Sequence, residues 1–361
     1  MAVTTTPDPS TTSTPQQSPA TSDLFCVVMA GGAGTRFWPA STEDVPKQLL
    51  TLVGDRSLLQ LAVDRATAIV PLERILIVTS QRLHAAVVAQ LPELAPDNVV
   101  AEPERKDTAA AVALATLLVQ AKGGKRVAIL TSDHLIGPVD EFAAAVVVAS
   151  AACAANTAAI VTFGVVPTYP ATGFGYLEVD SADGDHARAV IRFVEKPVLA
   201  VATEYVDSGR FLWNSGMFVF DVAGMRAAMQ QHLPDHERLL APAIAGEITL
   251  AAAFSSLPRI SIDKGLMEKH HTVLCVPARF AWSDVGSFPS LSDHLPTDEH
   301  GNAYRGVLRT LDATNNIAWS ADADEEIAIV GLSDVVVVRA GKRTLVVPRS
   351  RAEDVKKLIE G

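Results

Sequence analysis

The chain has 361 residues, of which 48% are hydrophobic and 20% are charged, and its 30 basic and 41 acidic side chains give a formal net charge of −11. This length predicts a large core divided between a main domain and a smaller one, and the composition is that of a soluble globular protein. The negative charge argues against nucleic acid and anionic membrane partners, which it would repel. We see no apolar run of about 18 uncharged residues, so nothing predicts a membrane span.

Residues 1–22 are rich in Thr, Ser, Pro and Gln, with neither a basic start nor an apolar core. They predict a disordered tail rather than a signal peptide. The cysteines, Cys26, Cys153 and Cys275, are widely spaced in apolar surroundings and form no Cys-x-x-Cys pair. We therefore expect buried free thiols, a reducing and hence cytoplasmic location, and no zinc site.

From residue 23 to about 220, short β-type runs alternate with Ala/Leu/Val-rich helical runs. The strand candidates are Leu24–Met29, Ile75–Thr79, Val127–Thr131 and Ala158–Phe163, and the helix candidates are Leu58–Ile69, Thr108–Gln120 and Phe142–Ala154. This alternation predicts an α/β fold with a Rossmann-like, mostly parallel sheet and helices on both faces. We assign residues 23–294 to this domain.

Residues 295–361 show a different pattern, in which short β-type runs recur at spacings of about 8–12 residues. These runs are Tyr304–Leu308, Asn316–Trp319, Ile327–Val330, Val335–Arg339 and Thr344–Val347, with a helical patch over Ala352–Ile359. The pattern predicts a small C-terminal β domain with a terminal helix.

The first strand candidate leads into the glycine-rich turn Ala30–Pro39. Glycines let backbone N–H groups approach an anion, so the turn predicts a phosphate site at the carboxyl edge of the sheet. Arg36 and Lys47 would add positive charge, although both could instead be solvated surface cations. No P-loop lysine follows Gly34, which disfavours a GTP-hydrolysing switch, and Phe37 stands where a dinucleotide fingerprint needs glycine.

Two acidic residues could hold a metal. Asp133 follows a predicted strand, and Asp284 lies within Trp282–Ser287. Mg²⁺ commonly takes one or two carboxylates together with phosphate oxygens and water. Taken alone, either aspartate would more often be a turn or helix cap, and we expect His134 to make a structural hydrogen bond rather than to ligate the metal.

The string Ala30–Pro39, followed by Pro46-Lys47-Gln48, resembles the signature of the sugar-1-phosphate nucleotidyltransferases. Its Phe-Trp-Pro and Pro-Lys-Gln portions look most like the mannose-1-phosphate guanylyltransferase branch. Three further segments resemble that family: Thr172–Glu178, with Phe174 replacing a tyrosine, Phe193–Pro197 and Trp213–Phe218. The resemblance implies a glycosyltransferase-A-like catalytic domain and a left-handed β-helix-like C-terminal domain.

The implied activity is Mg²⁺-dependent transfer of GMP from GTP to α-D-mannose 1-phosphate, giving GDP-mannose and pyrophosphate. The resemblance implies catalytic roles for Arg36, Lys47 and Lys196, and metal binding by Asp133 and Asp284. The nucleotide would contact Ala30, Gly31, Gly32, Gly34, Thr35, Arg36, Lys47, Glu102 and Thr108; the sugar phosphate would contact Gly175, Glu195, Lys196 and Asn214. Glu102 could accept hydrogen bonds from guanine N1–H and its amine, or could be a solvated surface glutamate.

Some residues depart from the family pattern. They are Thr42 for arginine, Asp107 for asparagine, Ala110 for proline, and Lys264-Gly265 within the segment around Asp263. They bear on sugar identity and guanine contacts more than on the reaction. Two alternatives remain open: a nucleotidyltransferase for another hexose or heptose 1-phosphate, and a catalytically silent nucleotide-sugar sensor. Homodimer formation also remains open.

Overall fold

The protein is described by a computed structural model over residues 21–32, 34–180 and 186–360. Most of the predicted disordered tail, residues 1–20, lies outside the described residues. The strands are β1 Leu24–Ala30, β2 Ile75–Ser80, β3 Val99–Glu102, β4 Arg126–Thr131, β5 Leu135–Gly137, β6 Ile160–Val165, β7 Gly175–Val179, β8 Arg188–Glu195, β9 Phe211–Asp221, β10 Val273–Pro277, β11 Ala281–Ser283, β12 Ala303–Arg305, β13 Val307–Leu311, β14 Ile317–Ser320, β15 Glu326–Val330, β16 Val335–Ala340 and β17 Arg343–Pro348. The α-helices are α1 Leu58–Thr67, α2 His84–Gln90, α3 Thr108–Ala121, α4 Val139–Ala155, α5 Leu199–Ser208, α6 Val222–His232, α7 Pro234–Ile244, α8 Leu250–Ser256, α9 Phe288–Ser292 and α10 Lys357–Glu360.

The main sheet has the strand order β3-β2-β1-β4-β9-β6-β10-β8-β7. The four strands β3, β2, β1 and β4 pair in parallel, as do β6 and β10. The long strand β9 runs antiparallel to both β4 and β6. The predicted α/β architecture is confirmed, with antiparallel strands β8 and β9 added to the parallel framework.

Alternate residues of β1 enter the two hydrophobic layers on either side of this sheet, as period-two side-chain geometry requires. Cys26 and Val28 pack with residues of α1, α2 and α4 on one face. Phe25 and Val27 pack with residues of α3, α6, α7 and α8 on the other. Helices therefore cover both faces, and polar groups can reach solvent mainly at the strand ends.

A second, two-stranded sheet joins distant parts of the chain near that edge. Strand β5 pairs with β11 in antiparallel register, with Leu135 opposite Ser283 and Ile136 opposite Trp282. Asp133 lies just before β5, and Asp284 directly follows β11. This pairing brings the two predicted metal-binding residues together.

The C-terminal module stacks short strands in parallel, β12 on β14 on β16 and β13 on β15, and β17 closes it as an antiparallel partner of β16. Gly306, with φ of 101°, turns the corner between β12 and β13. Asn302 and Asn316 are fully buried just before β12 and β14, and the Asn316 side-chain amide donates to the Asn302 side-chain oxygen at 2.9 Å. This stacked arrangement resembles the coils of a β-helix.

The module packs on the catalytic domain through one mixed hydrophobic cluster. Phe37 and Leu52 from the first domain share it with Trp319 and Val336 from the module. The Trp319 indole N–H also donates to the Leu52 carbonyl at 3.3 Å. The packing joins the glycine-rich turn directly to the C-terminal strands.

Most predicted elements agree with the observed ones within a few residues, but one C-terminal prediction is wrong. The run Tyr304–Leu308 is not one strand, because the Gly306 corner divides it between β12 and β13. The predicted helical patch Ala352–Ile359 is helical in the structure, as the 3₁₀ helix Arg349–Lys356 followed by the short α10. The three cysteines are buried and unpaired, as predicted. Across residues 21–32, 34–180 and 186–360 there is no helix with both the length and the apolar character needed to cross a bilayer.

Candidate functional site

Three cavities lie along the edge where β1, β2, β3 and β4 end. The glycine cavity, about 290 Å³, is lined by Gly31, Gly32 and Glu102. The cation cavity, about 300 Å³, is lined by Arg36, Lys47, Asp133 and Asp284 together with Gly34, Thr35, Phe37, His134, Gly286 and Lys356. The inner cavity, about 320 Å³, includes Gly175, Glu195, Lys196, Asn214, Thr108, Thr131, Phe174, Asp263 and Trp282 in its lining. Ligands of open α/β sheets bind at this edge.

In the cation cavity, Lys47 lies between the two aspartates. Its Nζ donates to Asp133 Oδ2 at 3.1 Å and also to the backbone carbonyl of Asp284. The Lys47 side chain is 7% exposed, whereas that of Asp133 is 37% exposed. A buried ammonium thus holds two chain segments in place while one carboxylate still faces the open space.

The glycine-rich turn brings these groups together by close backbone contact. Gly34 has φ of 58°, and a Cβ at this position would lie 2.5 Å from Lys47 Cβ. The Ser41 hydroxyl donates to the Gly34 carbonyl at 2.6 Å. Glycine is required here both by its backbone conformation and by the approach of Lys47.

The pKa values of Asp284 and Asp133 are shifted in opposite directions. Burial raises the pKa of Asp284, and the nearby Asp133 raises it further. Burial also acts to raise the pKa of Asp133, but the adjacent Lys47 helps to hold that pKa below its usual value. A cation bound beside both groups would relieve their mutual repulsion.

His134 lines both the cation cavity and the inner cavity. Its Nδ1 accepts a hydrogen bond from the Trp282 indole N–H at 3.1 Å and lies 2.8 Å from the Thr131 hydroxyl. Burial lowers the pKa of His134 to about 4. An indole can only donate, so the neutral ring carries its proton on Nε2, facing Asp133 Oδ1 at 3.6 Å. The expected structural hydrogen bond is present.

In the inner cavity, Gly175 on β7 and Glu195 on β8 are register partners. A Cβ on Gly175 would lie 2.8 Å from Glu195 Oε2, so a larger residue at this position would make the carboxylate shift. Lys196 Nζ lies 2.7 Å from Glu195 Oε1. Although burial lowers the pKa of Lys196, its hydrogen bond to Glu195 helps to raise it overall. The pair offers a hydroxyl acceptor beside a fixed cation.

Asn214 on β9 is held by its neighbours. Its side-chain oxygen accepts from the Thr162 hydroxyl at 2.7 Å, and its Nδ2 donates to Asp263 Oδ1 at 3.4 Å. Burial and the nearby Glu195 raise the pKa of Asp263 to about 6. One amide hydrogen of Asn214 thus remains for a ligand.

Glu102 ends β3 in the glycine cavity, next to Arg82 and Arg105. Burial raises the pKa of Glu102 to about 7. Arg82 bonds to Glu43 and Asp44 from the loop that follows the glycine-rich turn. This cavity shares no lining residue with the other two.

Two predicted nucleotide contacts lie elsewhere. Ala30 is fully buried, and its carbonyl accepts from Gln48 and Thr79, so it supports the turn from below rather than lining a cavity. Thr108 lies in the inner cavity, where its hydroxyl accepts from the Ile262 amide at 2.8 Å. Gly31, Gly32 and Glu102 share one cavity, whereas Gly34, Thr35, Arg36 and Lys47 share another.

Among the charged residues that line the cation and inner cavities, Asp263 and Lys356 had no predicted role. Asp263 was visible within the Ser261–Lys269 segment but carried no assigned role, and only the fold places it beside Asn214. Lys356 had no signal at all, because it lies in a charged C-terminal patch. The motif residue Phe37 has a role that its spacing did not indicate, since it packs against Phe288 with ring centroids 4.9 Å apart.

The chain matches two family models. Residues 25–301 match the nucleotidyl transferase family. Residues 308–361 match the mannose-phosphate isomerase/GMP-like β-helix domain. The first match covers the three cavities except for Lys356, and the second covers the β-helix-like module.

Similar proteins include the xanthan biosynthesis protein XanB of Xanthomonas campestris pv. campestris strain B100. It is 39% identical over 347 residues, covering 94% of this chain and 73% of that protein. The mannose-1-phosphate guanylyltransferase of Escherichia coli K12 is 34% identical, covering 94% of this chain and 74% of its own length. A crystal structure described as mannose-1-phosphate geranyltransferase from Thermus thermophilus superposes with a TM-score of 0.85 at 33% identity, covering 94% of this chain and 98% of that chain.

Proposed function

The chain belongs to the nucleotidyl transferase family, in its mannose-1-phosphate guanylyltransferase branch, and from that premise we propose that it transfers GMP from GTP to α-D-mannose 1-phosphate. The products are GDP-mannose and pyrophosphate. The substrates are therefore a nucleoside triphosphate and a sugar phosphate, with no nucleic acid partner. The three buried free thiols favour a reducing, cytoplasmic location for this reaction.

The observation that carries the proposal is the continuity of two chemically different cavities. His134 and Asp284 line both the cation cavity and the inner cavity. A triphosphate among Arg36 and Lys47 would thus lie next to a sugar phosphate held by Glu195 and Lys196. Such adjacency is what a direct transfer between two bound substrates requires.

The proposed reaction is a single in-line displacement. A phosphate oxygen of the sugar phosphate forms a bond to the α-phosphorus of GTP, and the bond from that phosphorus to the bridging oxygen of pyrophosphate breaks. Arg36 and Lys47 stabilise the charge on the transferring phosphorus and the leaving group, and Lys196 aligns the attacking phosphate. Glu195 and Asn214 orient the sugar by its hydroxyls. No protein nucleophile is needed.

Asp133 and Asp284 would hold Mg²⁺. The donor set fits, because two carboxylates line the cation cavity and phosphate oxygens and water can complete the shell of this ion. The parts of the chain described here contain no group of three or more His, Cys, Asp or Glu arranged as a metal site, so the fit depends on the bound phosphates. When bound, the ion supplies further neutralisation of phosphate charge.

Glu102 is the proposed reader of guanine. Its carboxylate can accept from N1–H and the exocyclic amine, an adjacent donor pair that adenine does not present. Gly31 and Gly32, in the same cavity, leave room for the nucleoside beside the turn. The base then lies in the glycine cavity, with the phosphates running toward Arg36.

A pyrophosphate-release assay tests the proposal. The purified chain is incubated with each of four nucleoside triphosphates and with the 1-phosphates of mannose, glucose and a heptose, with and without Mg²⁺. We expect release only with Mg²⁺ and fastest with GTP and mannose 1-phosphate. Faster release with another sugar phosphate would show that this sugar phosphate, rather than mannose 1-phosphate, is the acceptor. No release with any pair of substrates would indicate a catalytically silent sensor.

A further inference from the structure

The C-terminal 3₁₀ helix Arg349–Lys356 lies against the turn Thr35–Phe37 of the glycine-rich signature. The contact is hydrophobic, since Ala352 and Val355 are buried in the same cluster as Phe37 and Phe288. Residues three apart share one face of a 3₁₀ helix, so both anchors point the same way. The last residue of this helix, Lys356, is thereby held at a fixed place.

That place is the wall of the cation cavity. Lys356 lines it together with Arg36, Lys47, Asp133 and Asp284, although it comes from the other domain. Its side chain is half-buried, and over residues 21–32, 34–180 and 186–360 it makes no side-chain hydrogen bond or ion pair. The next residue, Lys357, differs, because its Nζ lies 2.6 Å from Asp354 Oδ1 on the exposed surface. Two adjacent lysines thus have different surroundings.

Lys356 changes the net charge of the protein groups that line the cation cavity. Without it, two cations face two carboxylates and the formal charges cancel. The Lys47 ammonium is already bonded to Asp133. Lys356 gives the protein groups of this cavity a net positive charge, in addition to the charge that a bound Mg²⁺ would bring, and positive charge favours a triphosphate.

We propose that Lys356 is a triphosphate-binding residue, contributed by the C-terminal module to the active site of the catalytic domain. It would contact the β- and γ-phosphates and then the departing pyrophosphate, farther from the sugar than Lys47. This inference rests on the proposed function only for the identity of the nucleotide. It makes the module a part of the site rather than a separate domain.

The test compares Lys356→Met and Lys356→Gln with Lys356→Arg and with the neighbouring control Lys357→Met. The probe is inorganic pyrophosphate, whose Kd is measured by calorimetry at fixed Mg²⁺, alongside the KM for GTP and for mannose 1-phosphate. Loss of a charge-assisted contact that water partly screens should raise the Kd for pyrophosphate and the KM for GTP about tenfold. The KM for mannose 1-phosphate should change by less than about twofold, and Lys356→Arg should recover most of the loss.

The Lys357→Met variant should match the wild type, because an exposed pair with Asp354 contributes little. Equal melting temperatures of the Met variants at both positions show that folding is not the cause. The inference is overturned if Lys356→Met and Lys356→Gln bind pyrophosphate as tightly as Lys357→Met. If the wild type makes no GDP-mannose but binds pyrophosphate in a Lys356-dependent way, the proposed function fails and this inference stands. If the wild type makes GDP-mannose but binds no pyrophosphate, this inference fails and the proposed function stands.

Discussion

The side-chain amide of Asn214 donates to the carboxylate of Asp263, with 3.4 Å between nitrogen and oxygen. Asn214 lies on β9 in the middle of the main sheet, whereas Asp263 begins a short π-helical segment, Asp263–Met267. Asp263 thus lines the inner cavity together with Glu195 and Asn214. The proposed sugar site therefore contains two neighbouring acidic groups and one amide.

Replacing Asp263 with asparagine should stabilise the protein above pH 6. Burial and Glu195 raise the pKa of Asp263 to about 6, so in the folded state its ionisation is unfavourable. The wild type therefore loses stability as the pH rises from about 4, where the unfolded carboxyl ionises, to about 6. The unfolding free energy of Asp263→Asn, measured in urea, should exceed that of the wild type by about 3 kcal/mol at pH 7 and by nearly nothing at pH 3.5.

Asp207→Asn, on the exposed end of α5, controls for the removal of one negative charge. The same variant pair reports on binding. If Asp263 accepts a sugar hydroxyl, Asp263→Asn should raise the KM for the sugar phosphate severalfold while the KM for GTP stays near its wild-type value. A stability difference that shrinks as the pH rises would contradict the sign of this prediction.

Removing Arg36 should lower turnover by roughly 10²–10³-fold, the loss expected for one donor to a transition-state charge. Arg36 is exposed, so Arg36→Ala should keep the wild-type melting temperature. Lys47→Ala should lose turnover similarly but also lower the melting temperature, because it leaves Asp133 without its ammonium partner. Lys342→Ala, in the exposed turn between β16 and β17, is the control. Near-wild-type turnover in both active-site variants would remove these residues from catalysis.

Guanine recognition should weaken at acidic pH. Burial raises the pKa of Glu102 to about 7, and only the ionised carboxylate accepts both guanine donors. The KM for GTP should therefore fall about tenfold between pH 6 and pH 8, as the ionised fraction grows. Glu102→Gln should flatten this dependence and reduce the preference for GTP over ATP, whereas Glu93→Gln, on the surface, should retain both. An unchanged preference in Glu102→Gln excludes Glu102 as the reader.

Gly34→Ala should lower the unfolding free energy by more than the backbone conformation of Gly34 explains. A Cβ there would lie 2.5 Å from Lys47 Cβ, with φ at 58°, whereas Gly54 has φ of 62° and open space around it. Gly54→Ala should cost about 1–2 kcal/mol of unfolding free energy, the strain of a left-handed residue. The loss of unfolding free energy in Gly34→Ala should exceed that value. This substitution should also reduce turnover, because it displaces Lys47. Equal losses of unfolding free energy in urea titrations, with full activity in both variants, would show that the contact between residue 34 and Lys47 is not tight.

The catalytic domain was predictable because its signals are local. Short apolar runs such as Leu24–Met29 predict buried strands, helical runs such as Thr108–Gln120 predict buried helices, and the glycine-rich turn requires conformations that few other residues allow. The C-terminal module was less predictable. Its coils depend on buried Asn302 and Asn316 stacking between turns, and a pair of asparagines is a weak signal without the structure.

The sequence by itself determined the α/β class, the glycine-rich turn and the residue types that a nucleotidyl transfer needs. Those properties depend on neighbouring residues and on short spacings. Only the tertiary structure decided how the groups divide among three cavities, because that depends on strand pairings such as β5 with β11, which bring Asp133 to Asp284. It also placed Thr108 with Glu195 and Asn214 in the inner cavity, and Lys356 with Arg36 and Lys47 in the cation cavity. Contacts between segments so far apart depend on the packing of whole layers, so no short stretch of sequence contains them.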